Sequence, residues 1–276
     1  MGEAPKSLMR SDFGHYDANY KNFDTELYAE IRREAFGEDI GQSSWIDTQE
    51  QDRTLTWLNL SHGKSLLDVA CGSGGPALRM AERTGCSLVG VDVHEDAVAT
   101  ANSLAAQRRM GERAVFQVAD ASIRMPFSDG SFDAITCIDA INHLPDRPHV
   151  IGEFARLLKP GGRLLFTDPV TITGPLTNEE TAIRSSIGFF LFVPAGYDQK
   201  VIQESGLRLL LSEDVTENMA KIAHNRGAAR AAREDALRRI EGDETFEKQQ
   251  RFFEIATRIA RERRLSRFLF VAEKPN

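Results

Sequence analysis

The stretch "LLDVACGSGG", residues 66–75, decides the fold, because a strand-like apolar run carries an acid and then opens into a glycine-rich loop. Glycine permits a tight turn and lets a ligand lie close to the backbone. The stretch therefore predicts a ligand site at the end of a buried strand. Several classes of ligand bind at such a glycine-rich loop, so the neighbouring segments are needed to distinguish between these classes.

Apolar runs alternate with helical patterns from Lys64 onward, which is typical of a parallel sheet with crossover helices. After residue 168 the pattern predicts a helix, a strand and two further helices broken at "EGDE" before a last strand. The first 60 residues have helical patterns and no strand pattern, so we expect a cap over the ligand edge. The first five strands are predicted at 65–70, 87–93, 114–120, 132–139 and 163–168.

The composition narrows the class of protein. The chain has 276 residues, 41% of them hydrophobic, and a net charge of −7, which gives no general attraction to nucleic acid or to an anionic membrane. Three cysteines stand too far apart for a CxxC pair and suit a reducing compartment. No signal-peptide or membrane-spanning pattern occurs, so we expect a cytoplasmic protein. Charged helices over 221–264 predict a solvated face or a contact between copies.

The glycines alone leave two ligand classes open. Gly72, Gly74 and Ala77 also satisfy the pattern of dinucleotide sites in dehydrogenases, with Asp92 following at the end of the second predicted strand. An acid at that place can accept hydrogen bonds from both ribose hydroxyls of a bound nucleoside. Asp92 therefore predicts a nucleoside-bearing ligand of either class.

Two other acids favour one class. Asp68 precedes the glycine loop, where a carboxylate would repel a pyrophosphate but would attract a cation. S-adenosylmethionine carries a sulfonium and an ammonium group. Asp120, followed by Ala121, ends the third predicted strand, where an acid can accept a hydrogen bond from an adenine amino group. These positions favour S-adenosylmethionine over a dinucleotide.

Four ordered motifs carry a family resemblance. "LLDVACGSGG", "GVDV", "VADA" and "LLKPGGRLLFTD" resemble class I S-adenosylmethionine-dependent methyltransferases over residues 64–168. The resemblance implies a Rossmann-like α/β fold with a seven-stranded, mainly parallel sheet whose last strand is antiparallel. It implies a helical cap over 1–60 and a cofactor-binding domain over 61–276, in which 169–264 carries substrate-side and helical insertions. It also implies S-adenosylmethionine as methyl donor, S-adenosylhomocysteine as product and no metal. The remaining predicted cofactor contacts are Ala70, Val93 and Ile138.

A narrower resemblance concerns the cap and the fourth strand. "AFGEDIGQSSW" (35–45) and "IDAINHLPD" (138–146) are similar to the phosphoethanolamine and sarcosine/dimethylglycine methyltransferases. This resemblance implies that Ser43 or Ser44 holds the methionine carboxylate and that Asp139 and His143 face the acceptor. It also implies a tyrosine that closes over the cofactor, for which Tyr16 and Tyr20 are both candidates.

Methyl transfer from a sulfonium mainly requires that the enzyme position the acceptor and remove its proton. His143 is the predicted base, and Asp139 is predicted to orient it, to hold a substrate cation or to cap a helix. Residues expected at the acceptor are Asp168, Phe189 and Tyr197. The aromatic run near 187–193 favours an apolar or aromatic natural product, methylated on O, N or C. The alternatives are a polar amine or phosphoamine acceptor, and a cofactor-binding or cyclase-like protein without ordinary methyl transfer.

Overall fold

The computed structural model of the protein describes residues 22–23 and 25–276, so Tyr16 and Tyr20 lie outside the described residues. The helices are α1 (Glu26–Phe36), α2 (Thr48–Leu58), α3 (Gly75–Thr84), α4 (Glu95–Gln107), α5 (Arg147–Leu157), α6 (Asn178–Arg184), α7 (Tyr197–Glu204), α8 (Thr216–Ala231), α9 (Glu234–Glu241) and α10 (Asp243–Arg261). The strands are β1 (Ser65–Val69), β2 (Ser87–Asp92), β3 (Ala114–Val118), β4 (Phe132–Cys137), β5 (Leu158–Ile172), β6 (Val193–Pro194), β7 (Arg208–Asp214) and β8 (Leu265–Glu273).

The strands form one sheet in the order β3-β2-β1-β4-β5-β8-β7, with the short β6 beside β5. All neighbouring strands run parallel except β8, which is antiparallel to both β5 and β7. The predicted α/β class and the antiparallel last strand are therefore confirmed, with the two-residue β6 as an addition. The strand order reverses between β1 and β4, and ligands of open α/β sheets bind at such a reversal.

Both faces of the central strands β1 and β4 are buried, which explains why these strands are mainly apolar. Alternate side chains of β1 point to opposite faces, so Leu67 packs with Phe154 of α5 and Leu66 with Leu78 of α3. Fully burying such a side chain is worth about 1.5–3 kcal/mol. This two-sided burial fixes the register of β1 and hence the position of its acid, Asp68.

A second layer of helices covers one side of the molecule. Phe36 at the end of α1, Trp45, and Phe252 and Phe253 of α10 belong to one buried cluster, which we call the cap cluster. The Trp45 ring stacks on Phe252 with centroids 6.3 Å apart and meets Phe253 edge to face. The N-terminal helices thus pack against the helices that precede the last strand. The division of the chain at residue 60 stays a prediction.

The helical stretch before β8 differs from the prediction of two helices. One break occurs at Gly242, within "EGDE" as predicted, where φ is 83°. A second break follows Ala231, where the side chain of Arg233 donates to the carbonyl of Ala229 in the last turn of α8 at 2.9 Å. The stretch therefore forms three helices. No glycine marks the second break, where an arginine side chain satisfies a carbonyl of the last helical turn.

Candidate active site

The glycine loop between β1 and α3 is packed against protein at two of its glycines. A Cβ atom on Gly75 would lie 1.8 Å from the carbonyl oxygen of Ile40, and one on Gly74 would lie 2.8 Å from the Phe116 ring. The Ser73 hydroxyl donates to the carbonyl of Gly41 at 2.7 Å. Gly74 and Gly75 thus make space for β3 and for the segment before α2, and contact of Gly72 and Gly74 with the cofactor stays a prediction.

Asp92 ties the end of β2 to this loop. One carboxylate oxygen accepts the backbone N–H of Gly72 at 2.9 Å, and the other accepts the N–H of His94 at 2.9 Å. Burial raises the pKa of Asp92. Since each carboxylate oxygen has a second acceptor position, the arrangement remains chemically able to accept two ribose hydroxyls. The exposed Val93 follows Asp92, next to the same edge.

Asp68 lies buried beside the strand reversal. The Thr136 hydroxyl of β4 donates to its carboxylate at 2.6 Å. Burial raises the pKa of Asp68 to about 7, and the nearby Asp92 carboxylate contributes. Within the described part of the chain Asp68 forms no ion pair, so a cation arriving here would favour its charged form. The buried carboxylate of Asp68 therefore fits a ligand with a sulfonium or an ammonium group.

Several smaller contacts complete the cofactor edge. Asp120 accepts both the N–H and the hydroxyl of Ser122, at 2.8 and 2.6 Å, in a turn after β3. Its neighbour Ala121 is buried, and Ile138 packs partly buried into the core beyond β4. Ala70 adopts a left-handed φ of 56° before the loop. A left-handed non-glycine residue carries strain, and such residues cluster at functional sites.

The segment that carries Ser43 and Ser44 reaches this edge from the cap. Ser43 is exposed and its carbonyl accepts Arg226 at 2.9 Å, while Ser44 is half-buried. The next residue, Trp45, is bound through its backbone N–H to Asp139 after β4. The segment therefore spans from the glycine loop to the end of β4. Binding of the methionine carboxylate by either serine stays a prediction.

Asp139 has partners that differ from those expected. Its carboxylate accepts the N–H of Trp45, the hydroxyl of Thr167 and Nε of Arg267, each at 2.7 Å. These three donors are the partners of the carboxylate, and the orientation of His143 by Asp139 stays a prediction. The prediction of a helix cap is wrong, since a short 3₁₀ turn, Ile141–His143, follows without a side-chain cap. Asp139 instead fixes the cap segment to the sheet.

Arg267 of β8 joins this network and was missed from the sequence. Its side chain is fully buried, and Nη1 donates to both carboxylate oxygens of Glu50 in α2, at 2.7 and 2.9 Å. Asn218 of α8 donates to the same carboxylate at 2.6 Å. The available signal was an arginine inside the apolar strand "LSRFLFVAE", since a buried charge requires a partner.

His143 ends the 3₁₀ turn after β4, and its Nδ1 lies 2.8 Å from the carbonyl oxygen of Phe189. Because a carbonyl oxygen only accepts, Nδ1 carries the proton and Nε2 is the acceptor nitrogen of the neutral ring. Burial, and to a lesser extent the Arg184 guanidinium, lowers the pKa of His143 to about 4. The imidazole is therefore neutral at physiological pH, as a base must be.

Aromatic side chains surround this histidine. The Phe190 ring meets the His143 ring edge to face at 4.7 Å, and Phe189 next to it is 52% exposed. The buried Arg184 guanidinium lies over the Phe190 ring at 5.1 Å and over the Phe252 ring at 4.9 Å. Phe190 and the Arg184 guanidinium thus both lie next to the His143 ring or its aromatic neighbour.

Two other predicted acceptor residues lie in different surroundings. Asp168 is fully buried, and its oxygens accept Nη1 of Arg147 and the N–H of Val170, both at 2.9 Å. Arg147 also pairs with Asp198, and burial together with Asp168 raises the pKa of Asp198 to about 7. Tyr197 packs into the core cluster on the α5 face of the sheet and is absent from the Phe190 group. Acceptor contacts of Asp168 and Tyr197 find no support in these partners and stay predictions.

Three further findings concern a surface groove, metal binding and membrane spanning. An open groove of about 1210 Å³ lies between α6, α8 and α10, and none of the predicted site residues lines it. Across residues 22–23 and 25–276, no group of three or more His, Cys, Asp or Glu side chains could hold a metal ion. In the same part of the chain, no helix has the length and apolar character needed to cross a membrane.

Comparison with known proteins assigns the family. A family model described as "Methyltransferase domain" matches residues 67–166. The 27-O-demethylrifamycin SV methyltransferase of Amycolatopsis mediterranei is 33% identical over 230 residues, which cover 78% of this chain and 84% of that protein.

Solved structures agree on the fold. The cyclopropane synthase MmaA2 of Mycobacterium tuberculosis superposes with a TM-score of 0.82 at 18% identity, covering 97% of this chain and all of that one. Haemonchus contortus phosphoethanolamine N-methyltransferase 2, in complex with phosphomonomethylethanolamine and S-adenosylhomocysteine, has a TM-score of 0.79 at 19% identity, covering 95% and 60%. With the domain match and the long, well-covered similarity to a methyltransferase, this chain belongs to the class I S-adenosylmethionine-dependent methyltransferases and is an enzyme of that family.

Proposed function

We propose that this methyltransferase transfers a methyl group to a hydroxyl of an apolar natural product. The observation that carries the proposal is the neutral His143, whose Nε2 is the acceptor nitrogen and whose ring lies against Phe190. A neutral imidazole can take the proton of a hydroxyl, and aromatic rings bind apolar surface. The similarity to a 27-O-demethylrifamycin SV methyltransferase supports an acceptor of this kind.

When bound, S-adenosylmethionine would supply a methyl carbon on a sulfonium, and the bond from that carbon to sulfur would break as the acceptor oxygen bonds to the carbon. Asp92 and the N–H of Gly72 are the residues that would hold the ribose end, and Asp68 would face the positive charge. Nε2 of His143 takes the proton that the acceptor oxygen releases. The ring keeps its orientation through the hydrogen bond from Nδ1 to Phe189.

The setting we propose is natural-product biosynthesis in the cytoplasm. The three cysteines, Cys71, Cys86 and Cys137, are free and buried, which suits a reducing compartment. Association between copies through the charged helices stays a prediction of the sequence.

A second candidate acceptor is a phosphoamine, and Arg184 is the observation that favours it. This buried guanidinium is close enough to His143 to lower the pKa of the ring. A guanidinium is the preferred side chain for binding phosphate. The similarity in fold to a phosphoethanolamine N-methyltransferase is compatible with this candidate at 19% identity.

A transfer assay with S-adenosylmethionine labelled in its methyl group separates the candidates. We expect label in 27-O-demethylrifamycin SV and none in phosphoethanolamine. Label in phosphoethanolamine alone, lost in the Arg184→Met variant, would replace the first candidate with the second. Binding of S-adenosylmethionine without transfer to either compound, or to a panel of phenols and aliphatic alcohols, would favour a protein that does not transfer methyl groups.

A further inference from the structure

We infer that the side chain of Asn142 binds a hydroxyl of the acceptor and selects for acceptors that carry one beside the reacting position. The inference rests on the proposed function, because it places the acceptor next to His143. It adds a specificity-determining residue that neither the sequence motifs nor the family resemblance indicates.

The first observation is an unsatisfied buried amide. Asn142 is fully buried, and neither its Nδ2 nor its Oδ1 has a hydrogen-bond partner in the described part of the structure. Native proteins pair nearly all buried polar groups, so an orphaned amide requires an explanation such as a ligand or an ordered water. The contrast is Asn102 of α4, whose amide pairs at both ends with the backbone of Phe116, at 2.9 and 3.2 Å.

The second observation is the position of Asn142. It is the middle residue of the 3₁₀ turn Ile141–His143, directly before the predicted base. Its backbone carbonyl accepts the N–H of Leu191 at 2.7 Å, and His143 bonds the carbonyl of Phe189. Two hydrogen bonds thus join this turn to the aromatic segment 189–191. Asn142 therefore lies between His143 and the aromatic segment, where the proposed function places the acceptor.

The chemistry of an amide defines the ligand. Nδ2 can only donate and Oδ1 can only accept, so a complete match needs a group that does both. A hydroxyl accepts from Nδ2 and donates to Oδ1. A carboxylate or phosphate would satisfy only Nδ2, an ammonium group would satisfy only Oδ1, and a hydrocarbon would satisfy neither. Among these acceptor groups, the hydroxyl matches the orphaned amide.

The stability of two variants tests whether the amide lacks a partner in the free protein, and this test needs no acceptor. Asn142→Leu keeps the side-chain size and removes the amide, so we expect an unchanged or higher melting temperature. The comparison variant Asn102→Leu, at an exposed position of α4, removes two made hydrogen bonds, and we expect it to melt earlier. A drop for Asn142→Leu as large as that for Asn102→Leu would overturn the inference, because the amide would then be paired within the protein.

Kinetics with 27-O-demethylrifamycin SV test the ligand itself. We expect Asn142→Leu to raise the KM for this compound about tenfold with little change in the affinity for S-adenosylmethionine, while Asn142→Gln recovers part of the loss. An unchanged KM, or a loss confined to the affinity for S-adenosylmethionine, would overturn the inference. If the wild-type enzyme does not methylate the compound, the proposed acceptor fails, and the melting comparison still decides whether Asn142 is unpaired.

Discussion

The carboxylate of Asp139 accepts the backbone N–H of Trp45 at 2.7 Å, so a residue at the end of β4 holds the segment that leads from α1 into α2. On its other side the same carboxylate binds Nε of Arg267, which in turn binds Glu50 of α2. The cap is thereby attached to the carboxyl edge of the sheet at a buried ionic network. Two adjacent cap segments depend on one carboxylate.

Removing that carboxylate should loosen the cap. We expect Asp139→Ala to lower the free energy of unfolding by about 3–5 kcal/mol, because the buried Arg267 loses one of its two acids. Urea unfolding measures the change. The control is Glu204→Gln in the exposed Lys200–Glu204 pair, where we expect almost no change. Equal small effects for the two variants would show that the network contributes little.

Binding of S-adenosylmethionine should weaken as pH falls below about 7. The pKa of Asp68 is about 7 in the ligand-free protein, so at lower pH a cation must displace a bound proton. We expect the affinity to fall by roughly tenfold per pH unit below pH 6. Calorimetric titrations from pH 5 to 8 measure it. Asp68→Asn should bind weakly and lose this dependence, and adenosine, which is neutral, should show none in the wild type.

The predicted ribose contact has its own test. Asp92→Ala removes the acceptor of the Gly72 N–H and the expected acceptor of the ribose hydroxyls. We expect the binding free energy of S-adenosylmethionine to weaken by about 1–3 kcal/mol. Calorimetry at pH 8 measures this with Asp68 ionised. An unchanged dissociation constant would remove Asp92 from the cofactor site.

His143 should act in turnover and leave cofactor binding unaffected. We expect His143→Ala to lower kcat by roughly 10² to 10⁴ if the histidine takes the proton, with an unchanged dissociation constant for S-adenosylmethionine. A single-turnover assay with labelled donor measures the chemical step. A wild-type rate in this variant at saturating acceptor would assign His143 to structure alone.

The pH profile of kcat gives an independent test of the same residue. The pKa of His143 is lowered to about 4, so the ring stays neutral throughout the range from pH 6 to 8. We expect kcat to be flat over that range and to fall only as pH approaches 4, where the ring gains a proton. A fall centred near pH 6.5, the ordinary value for histidine, would show that the ring is exposed to water in the working enzyme.

The strands and their acids could be predicted because two-sided burial leaves a strong sequence pattern. Asp68 and Asp92 stand at the ends of β1 and β2, within apolar runs that fix the register. A glycine predicts less than an apolar strand pattern does. It indicates that a side chain would not fit at that position, but it does not indicate whether a ligand or the protein itself occupies the space. At Gly75 the occupant is the carbonyl of Ile40 and so is part of the protein.

The network around Asp139 could not be predicted for a different reason. Its partners Trp45 and Arg267 stand 94 and 128 residues away in the chain, and they meet Asp139 only because β8 inserts beside β5 and the cap folds over the edge. The spacing of residues along the sequence does not predict contacts between positions so far apart. The charge of Asp139 was visible in the sequence, whereas its partner depends on the complete tertiary structure.

Calorimetric titration of the purified protein with S-adenosylmethionine, S-adenosylhomocysteine and NAD tests the central claim most directly. The claim is that the edge at the β1–β4 reversal, with Asp68 and Asp92, holds the methyl donor. We expect both adenosyl ligands to bind with dissociation constants on the order of micromolar and NAD to show no binding. Binding of NAD in place of the adenosyl ligands would contradict the account, because the edge would then accept a pyrophosphate beside Asp68.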